Sequence, residues 1–177
     1  ERLREDLSNL IKTEVSIDIE EIKNPAVDSQ LVAQNIAFQL EKRVAFRRAV
    51  KRAMELASWE QHVHGKNIVL KVNVVWDKLY PSCTTTPMVI EGVIKVLREK
   101  RPLSMITIVD TDTPGIMHAD NSFRNLGIDK MAQRYNVKTI NLTNTKFATV
   151  NLQGDKLKVF RVSKILLDAD TIITLPV

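Results

Sequence analysis

The chain of 177 residues is 44% hydrophobic and 27% charged, material for one compact domain or two small ones. This excludes a disordered chain, and no apolar run approaches the ~18 residues of a membrane-spanning helix. The formal charge of +5 permits an anionic partner without demanding one, while the single cysteine, Cys83, excludes an internal disulfide, offers no basis for a disulfide-linked partner and fits a reducing compartment.

Residues 1 to 11 place Leu3, Leu7, Leu10 and Ile11 on one helical face, with no apolar signal region before them, so a soluble, cytoplasmic protein is expected. Residues 14 to 22 alternate Val15, Ile17 and Ile19 with Ser16, Asp18 and Glu20, the period of a half-buried strand. Asn24-Pro25 ends that strand, and Asp28 caps a helix through Leu31, Val32, Ile36, Ala37 and Leu40. After a short break near Val44, Glu41 to Ala57 forms an amphipathic helix. Its apolar stripe is Phe46, Ala49, Val50, Ala53, Met54 and Ala57, and Arg47, Arg48, Lys51 and Arg52 lie opposite. Lys and Arg number 10 in residues 1 to 57 against 10 Asp and Glu, and 16 against 11 in the rest. The excess is therefore spread through the second part, and only the helix concentrates it on one face.

Ser58 to Gly65 is a polar connector. Asn67 to Val75 is nearly continuous and β-branched, as in a strand buried on both faces. Thr84-Thr85-Thr86-Pro87 starts a helix through Val89, Ile90, Val93, Ile94 and Leu97. A second buried strand follows at 105–109, a helix at 122–135 and a third strand at 137–142. Two alternating strands about Gly154-Asp155, a short helix at 163–167 and a strand at 171–175 complete the chain. The fold class is α/β. Strands alternating with helices predict a Rossmann-like layered sheet, mainly parallel, with one antiparallel hairpin.

Two resemblances divide the chain. Glu14-Val15-Ser16-Ile17, Glu20-Glu21-Ile22-Lys23-Asn24-Pro25, Asp28-Ser29-Gln30-Leu31-Val32-Ala33 and Arg43-Val44-Ala45-Phe46-Arg47-Arg48-Ala49-Val50-Lys51-Arg52-Ala53 stand in the order of one known family. With them, residues 1–57 resemble the second half of the type II KH domain of the third protein of the bacterial small ribosomal subunit. The resemblance implies ribosomal RNA binding, with phosphate contacts from Arg47, Arg48 and Lys51 and with Arg43 and Arg52 as neighbours. A KH domain grips nucleotides with a Gly-X-X-Gly loop, which would precede Glu1. RNA, ribosomal or non-specific, is accordingly the expected partner, bound with little sequence selectivity.

From Gly65 onward other pieces take over: Gly65-Lys66-Asn67-Ile68-Val69-Leu70-Lys71-Val72-Asn73, Thr85-Thr86-Pro87-Met88-Val89-Ile90, Asp112-Thr113-Pro114-Gly115, Phe123-Arg124-Asn125-Leu126-Gly127-Ile128 and Ala169-Asp170-Thr171-Ile172-Ile173-Thr174-Leu175-Pro176. With these, the second part resembles the family known as domain of unknown function 362. The implied organisation is a KH-like α/β fragment at 1–57, a connector at 58–65 and a partial α/β domain at 66–177, joined through the basic helix. Such a conjunction looks like a chimera of two fragments.

In open α/β sheets ligands bind beyond the carboxyl ends of the strands. This makes Lys71, Asn73, Asp110 and Asp112, with Thr85 and Thr86 at a helix start, the candidate ligand-binding residues, for an anion or a divalent metal. The other side of the balance is that Asp and Thr are common in loops and caps. His62, His64 and His118 with Cys83 match no zinc spacing, and no glycine-rich phosphate loop is present. No nucleophile or acid–base system is complete, so the expectation leans away from an enzyme, with no catalytic residue, metal or cofactor assigned.

Overall fold

The computed structural model describes residues 29–78, 80 and 83–177, with side chains from residue 41 onward. The expected helix at 1–11, strand at 14–22 and turn at Asn24-Pro25, and the cap at Asp28, lie outside the described residues. Two compact units make up the chain, Glu1–Arg48 and Ala49–Val177. The described residues of the first are helical and belong to α1, Ser29–Leu56, which runs through the boundary. The break expected near Val44 is absent. A lone β-branched valine lowers helix propensity by only a few tenths of a kcal/mol (about 0.5), and no Gly or Pro accompanies it.

The second unit is an α/β sheet. Its elements are β1 (Asn67–Lys71), α2 (Pro87–Lys100), β2 (Met105–Asp110), α3 (Ala119–Asn125), α4 (Ile128–Arg134), β3 (Lys138–Asn141), β4 (Phe147–Asn151), β5 (Val159–Ser163), α5 (Lys164–Leu167) and β6 (Thr171–Thr174). Four strands pair in the order β3-β2-β1-β6, every pair parallel, and β4 and β5 form a separate antiparallel hairpin. The mainly parallel layered sheet and the one hairpin are as the residue patterns predict.

The strand order also explains the layers. Moving from β1 through β2 to β3, the crossovers α2, α3 and α4 bury Ile90, Val93, Ile94, Leu97, Phe123, Ile128 and Met131 against Ile68, Leu70, Ile106 and Ile108 on one face. The return to β6 lies on the other side of β1, and its helix α5 brings Ile165 and Leu166 to a second cluster with Val69, Val109 and Leu142. Right-handed crossovers require this switch of face when the direction reverses. Ile68, Val69 and Leu70 are all fully buried because β1 is covered on both sides, which is why its sequence runs apolar without alternation.

Three local readings are corrected. Residues 58–65, expected as a polar connector, send Trp59 and Val63 into the main core, where they are 7% and 3% exposed. The single helix expected at 122–135 is two, divided at Gly127, whose φ of 72° is left-handed. The apolar stripe of α1 is narrower and turned: Val50 and Met54 pack on the core, whereas Ala49, Ala53 and Ala57 are exposed and Phe46 is 39% exposed. Gly92 of α2 admits Val50, since a Cβ there would lie 3.1 Å from Val50 Cγ2. Long side chains fill this gap and alanines do not reach it.

Candidate functional sites

The strand order reverses at β1, so the crevice beyond the carboxyl ends of β1 and β6 is where a parallel sheet offers a ligand site. Four of the expected residues meet there. Lys71, the last residue of β1, extends Nζ to Asp110 Oδ1 at 2.5 Å and to the Val72 carbonyl at 2.6 Å. Asp110, the last residue of β2, accepts from the Val74 N–H on Oδ2 at 2.6 Å and from the Thr111 N–H on Oδ1 at 2.8 Å. Its side chain is 6% exposed and that of Lys71 31%. Asn73 continues the strand: its N–H donates to Thr85 Oγ1 at 2.9 Å and its carbonyl accepts from the Thr85 N–H at 2.8 Å. The Thr85 hydroxyl then donates to the Leu175 carbonyl at 2.7 Å, so one side chain staples the extensions of β1 and β6 together.

This arrangement limits what the crevice does chemically. Both oxygens of Asp110 and the hydroxyl of Thr85 are occupied by protein partners, and both residues are buried. They build the edge, and the Lys71 ammonium is itself held by Asp110 and the Val72 carbonyl. Thr86 stands at the N-cap of α2 without a side-chain capping bond, its carbonyl accepting from Val89 and Ile90. Asp77 accepts from the Asn125 amide at 2.9 Å.

Asp112 is not part of that group. It belongs to a second cluster at the ends of β2 and β3, where Oδ1 accepts from the Ala119 N–H at 2.8 Å and the Asn141 amide at 2.7 Å. His118 Nδ1 lies 3.2 Å from Oδ2, and the Thr143 hydroxyl accepts the Asp112 N–H at 2.9 Å. Burial pushes the Asp112 carboxyl up, but the Ala119 N–H, His118 and Asn141 together outweigh it and hold the group below its usual value of 3.8. Asp110 and Asp112 therefore do not converge on one cation, and among the described residues no group of three or more His, Cys, Asp or Glu is placed to hold a metal. The residue pattern does not single out Asn141 or Thr143, and it raises His118 only as a zinc ligand, not as a partner of Asp112. The end-of-strand rule that picked Asp110 also applies to Asn141, the last residue of β3; His118, six residues from its partner across a loop, carries no such signal.

On α1, Arg48 and Arg52, four apart, are exposed. Arg43 and Arg47 are half-buried, and Lys51 reaches Glu99 of α2 at 2.9 Å. Arg43, Arg47, Val50 and Met54 share one helical stripe, so the cations expected on a single face are divided between two. Among the described residues, no helix is long and apolar enough to cross a membrane.

The chain is similar to known proteins in two separate stretches. It is 60% identical over 57 residues to the small ribosomal subunit protein uS3 of Helicobacter pylori (strain Shi470), a match covering 32% of this chain and 24% of that protein. The uS3 proteins of Nitratidesulfovibrio vulgaris and Desulfatibacillum aliphaticivorans are 58% and 53% identical over the same number of residues, with 27% and 26% of their lengths covered. The chain thus spans about a quarter of these relatives. No solved structure matches it. The family described as domain of unknown function (DUF362) matches residues 68–177, the whole sheet and its crossovers, and the chain belongs to that family.

Proposed function

We propose that the chain binds RNA through the cations of α1, by phosphate contacts of low sequence selectivity, on a two-part scaffold in the cytoplasm that joins a partial KH-like segment at 1–57 to a DUF362 α/β domain. The observation that carries this reading is the likeness over 57 residues to a protein of the small ribosomal subunit. The exposure of Arg48 and Arg52 supports it, since two guanidinium groups one turn apart can each meet a backbone phosphate. Arg43, Arg47 and Lys51 add positive potential around them. Phe46, the aromatic residue of this stretch, falls on the side of α1 away from Arg48 and Arg52, so binding through that pair is electrostatic and salt-dependent.

The test is the affinity of the full chain for a fluorescent single-stranded RNA at two salt concentrations, against an Arg48→Ala/Arg52→Ala variant. Each single-strand phosphate contact contributes roughly 0.7 to the log–log salt slope, so the variant should lose about 1.4 from it. An unchanged affinity and slope in the variant, or no binding by the parent at low salt, would overturn the proposal.

A further inference from the structure

The loop after β2 closes on itself. The Thr113 N–H donates to the Met117 carbonyl at 2.9 Å, the Met117 N–H donates back at 3.1 Å, and Gly115 turns the tip at a φ of 70°. Closure brings Asp112 and His118, at the two ends of the loop, side by side. Residues 112–118 line a pocket of about 370 Å³, toward the lower end of the ~300–1,000 Å³ range of small-molecule sites. Asp112 is fixed by the Ala119 N–H and the Asn141 amide on one oxygen, which leaves the other for His118 Nδ1. In a neutral imidazole, a carboxylate at Nδ1 favours the tautomer that carries its proton there, which leaves the lone pair on Nε2. The His118 side chain is 76% exposed, so that lone pair is accessible to a solute.

We propose that His118 is a general base, positioned by Asp112, for the hydrolysis of a small uncharged ester bound in this loop pocket. The lining of Thr113, Pro114, Gly115, Ile116 and Met117 contains no cation, and the Asp112 carboxylate, with Asp120 joined to it through the two hydrogens of the Asn141 amide, disfavours an anion. In the step itself, a water oxygen attacks the acyl carbon while one of its protons passes to Nε2. The tetrahedral adduct then expels the alcohol oxygen, which takes that proton back, and His118 returns to its neutral form. A carboxylic acid and an alcohol leave, and no oxidant or reductant is needed. The activity is separate from α1 and from RNA.

The test uses the full chain and p-nitrophenyl acetate, following release of p-nitrophenolate at neutral pH. Saturable turnover with a normal solvent deuterium isotope effect is expected. His118→Gln should lower kcat by roughly 10²-fold, the lower end of what a positioned base contributes; its side chain is exposed, so the fold should be retained, which circular dichroism checks. A His62→Gln/His64→Gln variant should keep the parent rate. Asp112→Asn should lower kcat with KM unchanged and move the His118 proton off Nδ1 in nitrogen-15 NMR spectra; should that variant fail to fold, the His118 comparison decides alone. A His118→Gln rate equal to the parent, an equal fall in the His62/His64 variant, or a parent no faster than free imidazole would overturn the proposal.

Discussion

Gly65 is the residue whose replacement most directly tests how β1 is started. It holds a φ of 65°, and a Cβ built there would lie 2.2 Å from Asp170 Cγ, a separation that real Cβ atoms do not reach. Asp170 cannot retreat freely. Its Oδ2 accepts the N–H groups of Lys66 and Asn67, both at 2.8 Å, and its own N–H donates to the Asn67 carbonyl at 2.9 Å. Nearby, Thr171 Oγ1 accepts the His64 N–H and donates to the His64 carbonyl, both at 2.8 Å. Gly65→Ala therefore carries a left-handed backbone cost of about 1–2 kcal/mol and an overpacking cost of roughly 1–3 kcal/mol. Two other glycines isolate the second cost: Gly115 and Gly127 have φ of 70° and 72°, and a Cβ at either would have nothing within 4 Å of it. Urea unfolding followed by the fluorescence of buried Trp59 reads all three variants. Gly127→Ala should lose about 1 kcal/mol, the backbone cost offset in part by the stiffer unfolded chain, and Gly65→Ala clearly more. Equal losses at Gly65 and Gly127 would refute the claim that the Asp170 contact shapes this junction.

Charged groups give two more tests. Lys71→Met leaves buried Asp110 with only backbone donors and should cost about 2–3 kcal/mol, toward the low side for a broken buried pair because Lys71 is partly exposed; a Lys71→Met/Asp110→Asn double variant should regain part of it, and strict additivity in that cycle would show that the pair is not coupled. The Asn67 and Lys66 N–H groups hold the Asp170 carboxyl below its usual value of 3.8. Because the folded value is depressed, this contribution is fully present above the unfolded value and is lost as pH falls through the lower folded one. Asp170→Asn should accordingly flatten the acid limb of the stability profile relative to the parent, as measured by thermal unfolding across pH; parallel acid limbs would count against this linkage.

Several elements and one end of the sheet are legible in the residues alone. Asn67 to Val75 reads as a doubly buried strand because its apolar run does not alternate; Ile68, Val69 and Leu70 are buried as expected, but the paired strand stops at Lys71. Thr86-Pro87 marks the start of α2 because a proline at the first turn forfeits no helical hydrogen bond. The hairpin about Gly154-Asp155 follows from alternation, and the parallel order from strands separated by helices. These are local properties, set by backbone sterics and side-chain period. The tertiary structure alone decided the rest. Nothing in the string Ser58 to Gly65 shows that Trp59 and Val63 would be core, since the cluster they join is built from strands and helices that follow later in the chain. The inward side of α1 turned toward Val50 and Met54 because Gly92 leaves room at that one place. Thr85 and Asp110 were visible as polar residues at strand and helix ends, yet whether their oxygens were open to a ligand depended on Leu175, Val74 and Lys71, up to 90 positions away. The Asp112–His118 pair, too, exists only because the intervening loop folds back: a hydrogen bond needs two atoms at about 3 Å, and sequence spacing in a loop does not determine distance.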